Sequence, residues 1–352
     1  MAIEWLAGNR LRGTTAERPS GSLQSPSVGG WVELGRTTLG SDGDSIDVTG
    51  LADKRYLMAL INVPTTGNAR PRTRFNADTG NNYSDRWSQI GGGDNTSGSQ
   101  SFIYNEVTST TDDTFAVCYA SNLSNKEKLT ICHGVSAKSA GASQEPFRSE
   151  VVGKWANTSD AISQWNLTND LAGSYTSGSE VVVLGWDPGD SHTTNFWEEL
   201  ASVELSSTAS EIDSGTFTAK KYLWVQVFLK ASGSINTDFT FNNDTGSNYS
   251  ERWSINGGAD GSATSLNKLD ILSSTSYNEF ANMFIINNSS NEKLVITHQI
   301  GEEGSGAGTA PRRQELVGKW SNTSSQITEI DFTNAVTGDF DTGSIIKVWG
   351  AD

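Results

Sequence analysis

The chain has 352 residues, and 41 acidic against 25 basic side chains give it a formal charge of −16. Free nucleic acid is not expected as a partner of such a field, because phosphate backbones need a cation-lined surface. No apolar run approaches the ~18 residues of a membrane span, so no membrane insertion is expected. Short Val, Ile, Phe, Tyr and Trp runs are broken by Gly, Ser and Asn clusters, with 36 Gly and only 7 Pro overall. That pattern is the signature of an all-β chain.

Residues 1–30 read as an arm. Ile3, Trp5 and Leu6 form a small apolar cluster, followed by Arg10, Arg12 and Arg18. Pro19 to Pro26 and Gly29-Gly30 then compose a flexible linker. Met1 to Arg10 has neither a basic leader nor a continuous apolar core, so no signal peptide is expected and synthesis is placed in the cytoplasm. A basic and apolar head on an acidic body reads as a docking peg, with Ile3, Trp5, Leu6, Arg10 and Arg12 as its anchoring residues. The alternative is a frayed terminus.

Residues 31–188 read as a first β-sandwich domain. Strands are predicted at 31–39, 45–49, 56–63, 72–77, 83–90, 101–106, 114–120, 128–135, 148–156, 162–168 and 179–186. Phe115-Ala-Val-Cys-Tyr119 and Lys128-Leu-Thr-Ile-Cys132 flank a Ser- and Asn-rich turn, the pattern of a hairpin. Cys118 and Cys132 fall on these adjacent strands, where they can face each other; two small buried thiols is the simpler expectation. Val181-Val-Val-Leu184 suits a strand buried on both faces.

Residues 189–196 are a short polar joint, and residues 197–352 repeat the first domain. Phe75 to Ser88 (FNADTGNNYSDRWS) recurs as Phe241 to Ser254 (FNNDTGSNYSERWS), an offset of 166 shared by Trp31/Trp197, Ile46/Ile212 and Tyr56/Tyr222. Lys128/Lys293, His133/His298 and Gly153-Lys154-Trp155/Gly318-Lys319-Trp320 recur at an offset of 165. A period this long marks a duplicated domain rather than a solenoid unit. The fold expected is all-β: two tandem jelly-roll-like β-sandwich domains behind an extended N-terminal arm.

The duplicated loop alternates oxygen-bearing residues about a glycine, at Asn76, Asp78 and Asn82 and again at Asn242, Asp244 and Asn248. Calcium loops use that spacing. The alternative is an Asx-turn in which the side chains bond their own backbone. No other cofactor is expected. His133 and His298 occupy equivalent positions but lack neighbours at metal-ligand spacing, so they read as structural strand-end residues. Trp87 and Trp253 recur and are candidates for stacking on a sugar face; core packing is the simpler expectation. Lys154/Lys319 and Arg86/Arg252 read as surface residues with packed stems. Glu150/Glu315 and Asp85/Glu251 are repeated acids, yet neither lies in a glycosidase-type strand. With no G-x-S-x-G, P-loop or H-E-x-x-H, an enzyme is not expected.

Trp31-Val-Glu-Leu-Gly-Arg-Thr-Thr-Leu39, Val151-Val-Gly-Lys-Trp-Ala-Asn-Thr-Ser159, Gly178-Ser-Glu-Val-Val-Val-Leu-Gly-Trp-Asp187 and Asn195-Phe-Trp-Glu-Glu-Leu-Ala-Ser202 carry a further signal, together with the opening ten residues. In these stretches the chain resembles a family of virion-associated structural proteins of tailed phages and uncultured marine viruses. The resemblance implies a capsid decoration, fibre or tail-appendage subunit in the virion, held to a capsid or tail protein of the same particle. It carries over no catalytic residues. A homo-oligomer is expected, and recognition of a host-surface glycan is the alternative function.

Overall fold

The computed structural model describes the backbone of residues 5–6 and 10–11, and in full residues 30–64, 68–105, 112–188, 190, 195–271 and 276–352. Strands β1 (Trp5–Leu6) and β2 (Arg10–Leu11) pair as a small hairpin. The first repeat then contributes β3 (Val32–Thr38), β4 (Ser45–Thr49), β5 (Tyr56–Val63), β6 (Arg72–Phe75), β7 (Tyr83–Gln89), β8 (Asn95–Gln100), β9 (Ile103–Tyr104), β10 (Thr114–Ser121), β11 (Lys128–Ser136), β12 (Phe147–Trp155), β13 (Gln164–Thr168) and β14 (Glu180–Trp186). The second contributes β15 (Glu198–Glu204), β16 (Glu211–Asp213), β17 (Tyr222–Leu229), β18 (Ala231–Ser232), β19 (Thr237–Phe241), β20 (Tyr249–Ile255), β21 (Gly261–Leu266), β22 (Leu269–Asp270), β23 (Glu279–Ile286), β24 (Lys293–Gly301), β25 (Arg312–Trp320), β26 (Ile330–Asn334), β27 (Asp339–Phe340) and β28 (Ile345–Ala351). No helix occurs among the described residues.

The strand order repeats. An eight-stranded antiparallel sheet runs β3-β14-β5-β10-β11-β12-β7-β8, and its copy runs β15-β28-β17-β23-β24-β25-β20-β21. A four-stranded sheet, β4-β13-β6-β9, faces the first, and β16-β26-β19-β22 faces the second. Each sheet pair encloses an apolar core, one around Phe75, Trp155 and Trp165 and the other around Phe241, Trp320 and Phe332. A third core lies between the repeats, where Met58, Phe115 and Val135 meet Phe284, Ile296 and Val317. This explains the unbroken burial of β14: its inner face meets its own sandwich and its outer face the other repeat.

The 83–87 stretch shows how the pattern forces the layers. Tyr83, Asp85 and Trp87 alternate with Ser84 and Arg86, as a half-exposed strand must. Gly153 and Gly318 recur because the inner face is tight there. A Cβ at Gly153 would stand 2.6 Å from Ile103, and one at Gly318 2.8 Å from Leu269.

Three expectations are corrected. Strands β8 and β21 were not anticipated, because Asn95–Gln100 and Gly261–Leu266 lack apolar alternation and form exposed sheet edges. Cys118 and Cys132 are not separate thiols: they lie opposite each other in the β10–β11 register and form a disulfide. Lys319 and Arg252 are not surface residues, for reasons given below.

Candidate functional site

The duplicated loop is an Asx-turn. Asp78 accepts from the Gly80 N–H at 2.8 Å, from Asn82 Nδ2 at 2.9 Å and from Trp155 Nε1 at 2.7 Å. Its copy Asp244 accepts from Gly246, Asn248 and Trp320 in the same way. Asn76 Oδ1 accepts from Ser163 N and Gln164 N, and Asn242 Oδ1 from Thr328 N and Glu329 N. Burial works against ionisation of Asp78, but the donors from Trp155, Asn82 and Gly80 win and hold its carboxyl below the usual range. The loop thus ties one sheet to the other, with Tyr83 stacked on Trp155 at 6.2 Å. Asp85 does similar work, accepting from the Tyr104 N–H at 3.2 Å, as Glu251 accepts from the Asp270 N–H at 2.9 Å.

Sequence reasoning missed the role of Lys128 and Lys293. Both are fully buried, each donating to two backbone carbonyls and lying 5.6 and 5.7 Å from the Trp155 and Trp320 ring centres. Their signal was present: a lysine that recurs at the start of an apolar strand.

A cluster of titratable groups lies on the seam between the repeats. His133 on β11 and His298 on β24 meet with ring centres 4.1 Å apart. Glu150 stands opposite His133 in the ladder, and Glu315 opposite His298. Arg148 bonds Glu150, Glu315 at 3.1 Å and Asp260 at 2.7 Å. Burial, then His298 and Arg148, push the His133 imidazole down to about 3; burial also lowers His298. Burial and Glu150 push Glu315 up. His133, Glu150 and His298 offer ligand atoms within 4.8 Å of one another, a set that a divalent metal accepts. Arg148 already occupies the carboxylate, and the void among these side chains is only about 10 Å³. A second group, Asp213, Glu329 and Asp331, has the same spacing nearer the surface.

Trp87 is half-buried on Tyr104, ring centres 5.1 Å apart, and borders an open depression of about 200 Å³. Trp253 is also half-buried and covers Gly261. Of the anchoring residues, Ile3 and Arg12 lie outside the described residues, as do the side chains of Trp5, Leu6 and Arg10.

No family model and no curated protein matches the chain. Solved structures that align with it include the attachment invasion locus protein Ail of Yersinia pestis (6% identity, 76% of this chain, 98% of that one, TM-score 0.14). Neisserial surface protein A aligns at 5% identity over 80% of this chain and 99% of its own, TM-score 0.14. An acyl-CoA hydrolase from Agrobacterium tumefaciens aligns at 8% identity over 62% and 74%, TM-score 0.12. Likeness at that level carries no argument. The described sheets are open, each eight-stranded sheet ending in two unpaired edges, and no described helix is long and apolar enough to cross a membrane.

Proposed function

We propose that the chain is a structural subunit of a virus particle: two tandem jelly-roll-like sandwiches displayed on a capsid or tail and attached through residues 1–30. The observation that carries this reading is the seam. It welds the two sandwiches through a third apolar core and an ion-paired cluster, making one block rather than two hinged modules. A welded block suits a part that bears load and presents surface. The titratable groups of the seam are tied to one another, with Arg148 bonded to Glu150, Asp260 and Glu315, while His133 and Glu150 also border the open depression beside Trp87. The test is removal of residues 1–25. The shortened chain should keep its near-UV circular dichroism and lose particle binding; a shortened chain that still decorates particles defeats the anchor.

A second reading is glycan recognition at Trp87. It is favoured by the open depression bordered by Trp87, Arg86 and Asp94. Trp87→Ala should then abolish signals on a glycan array while near-UV circular dichroism shows the fold retained, with the lost packing on Tyr104 lowering the melting temperature.

A further inference from the structure

The outer faces of the two eight-stranded sheets carry equivalent residues in the same register but are used differently. On the second repeat, Ile296 pairs with Val317 and Leu294 with Lys319; on the first, Ile131 pairs with Val152 and Leu129 with Lys154. Leu294, Ile296 and Val317 are 0, 3 and 2% exposed, covered by the first repeat. Leu129, Ile131 and Val152 are 57, 50 and 48% exposed.

The covering surface shows the same asymmetry in reverse. Phe115 and Val135, paired across β10 and β11, are 1 and 0% exposed because they lie in the seam. Their counterparts Phe280 and Ile300, paired across β23 and β24, are 39 and 45% exposed. The seam therefore joins two different faces, a covering face on the first repeat and a receiving face on the second. The receiving face of the first repeat and the covering face of the second are both left open.

Polar groups follow the same rule. The segment 137–146 of the first repeat lies over the receiving face of the second. Lys319 Nζ donates to Ala137 O at 3.1 Å and Ser139 O at 2.6 Å, Ser250 Oγ to Gln144 O at 2.9 Å, and Arg252 to Glu145 at 2.9 Å and Pro146 O at 2.9 Å. The same three hooks exist on the first repeat as Lys154, Ser84 and Arg86. There they border an open depression of about 700 Å³ floored by Leu129, Ile131 and Val152. The segment equivalent to 137–146 is 302–311, which ends in the matching proline, Pro311, and projects into solvent. It carries Glu302 and Glu303, opposite in sign to the Arg86 and Lys154 of the open depression.

We propose that the open receiving face of the first repeat binds the covering face of the second repeat of another copy of this chain, repeating the internal seam between molecules. The contact is heterologous, so it propagates head to tail and gives a closed ring or an open filament according to whether its rotation closes. It is more polar than the seam, since the seam residues Val117 and Val182 are replaced by Asn282 and Lys347 at the equivalent positions. Dilution therefore separates copies before it opens the seam. The inference does not rest on the particle reading. A chain that self-associates through these faces but never binds a particle would leave it standing.

The test is sedimentation velocity on the full chain, wild type and two variants: Ile131→Asp on the receiving face and Ile300→Asp on the covering face. Both side chains are about half exposed, so both variants should fold, as near-UV circular dichroism checks. The pair Val152→Asp and Phe280→Asp is held in reserve should either fail. Wild type should assemble with rising concentration, and each variant alone should be monomeric. An equimolar mixture of the two should form a two-chain complex and nothing larger, because only one productive contact remains. Monomeric wild type up to its solubility limit overturns the proposal. Variants that still assemble overturn it too, as does a mixture that stays monomeric.

Discussion

Lys154 and Lys319 occupy the same position of a duplicated unit. One reaches through solvent to Glu127 at 3.2 Å; the other is fully enclosed, bonded to two carbonyls of the opposite repeat with Glu292 at 3.4 Å. Arg86 and Arg252 divide in the same way, the first pairing with Asp94 at the surface and the second held by Glu145 and Pro146. The interiors divide less: Asp78–Trp155 and Asp244–Trp320 are both 2.7 Å contacts, and the main difference is the Cys118–Cys132 disulfide, replaced by Met283 and Thr297 in the second repeat. An interior is specified by residues that lie within one repeat, so duplication copies its contacts with its sequence. The state of an outer face depends on what lies against it, so the same residues end up wet in one repeat and dry in the other.

The comparison is most easily broken at its symmetric half. Trp155→Ala and Trp320→Ala should each cost about 3–5 kcal/mol in urea unfolding, and a large inequality between them would show that the interiors are not equivalent. Next comes the lysine pair. Lys319→Ala strands a buried glutamate and two carbonyls and should cost about 3 kcal/mol, whereas Lys154→Ala should stay within about 0.5 kcal/mol. Smaller again is the isoleucine pair. Ile296→Ala should cost about 2 kcal/mol and Ile131→Ala, in the dilute monomer, no more than about 0.5 kcal/mol. Equal costs within either pair would mean that the seam is open in solution.

A last expected effect is the response to pH. Burial raises Asp85 and Asp113 to about 6 and, with neighbouring carboxyls, Asp238 and Asp331 to about 7. A raised carboxyl takes up its proton in the folded state before the unfolded state does, so these four stabilise the fold as pH falls from about 7 towards 5. The depressed His133 and His298 act in the opposite sense, since the unfolded chain protonates there first. Asp112, Glu251 and Glu315 are raised as well, so the carboxyls outweigh the two histidines and the melting temperature should be higher at pH 5 than at pH 7.5, by a few degrees. Below about pH 4 it should fall as Asp78 and Asp244, held low by their indole partners, lose their charge. Replacing both histidines by Gln should steepen the gain between pH 7.5 and 5.

Much of the fold was legible. Alternation in Tyr83–Gln89, the apolar run of β14 and the hairpin around the Ser-Asn turn all lie where the pattern placed them. The exposed edges β8 and β21 were not legible, because a Ser- and Gly-rich strand that packs against nothing has no hydrophobic period to read. Of the candidate sites, the duplicated loop could be narrowed to two readings, and its hydrogen bonds are those of the turn. The seam cluster could not be foreseen. His133, Arg148, Asp260 and Glu315 are up to 182 positions apart, and no local spacing records that they meet.

The sequence by itself determined that the chain is built of strands and that a long unit occurs twice, and it narrowed the loops at Asp78–Asn82 and Asp244–Asn248 to two readings. These are properties of neighbouring residues, and short-range sterics and hydrogen bonding decide them. Only the tertiary structure decided which of two equivalent faces is covered, that Lys319 is buried where Lys154 is not, and that the cysteines are joined. Those outcomes depend on which surfaces meet in space, and a repeat written twice in one chain has two copies of each surface but only one seam to bury them in.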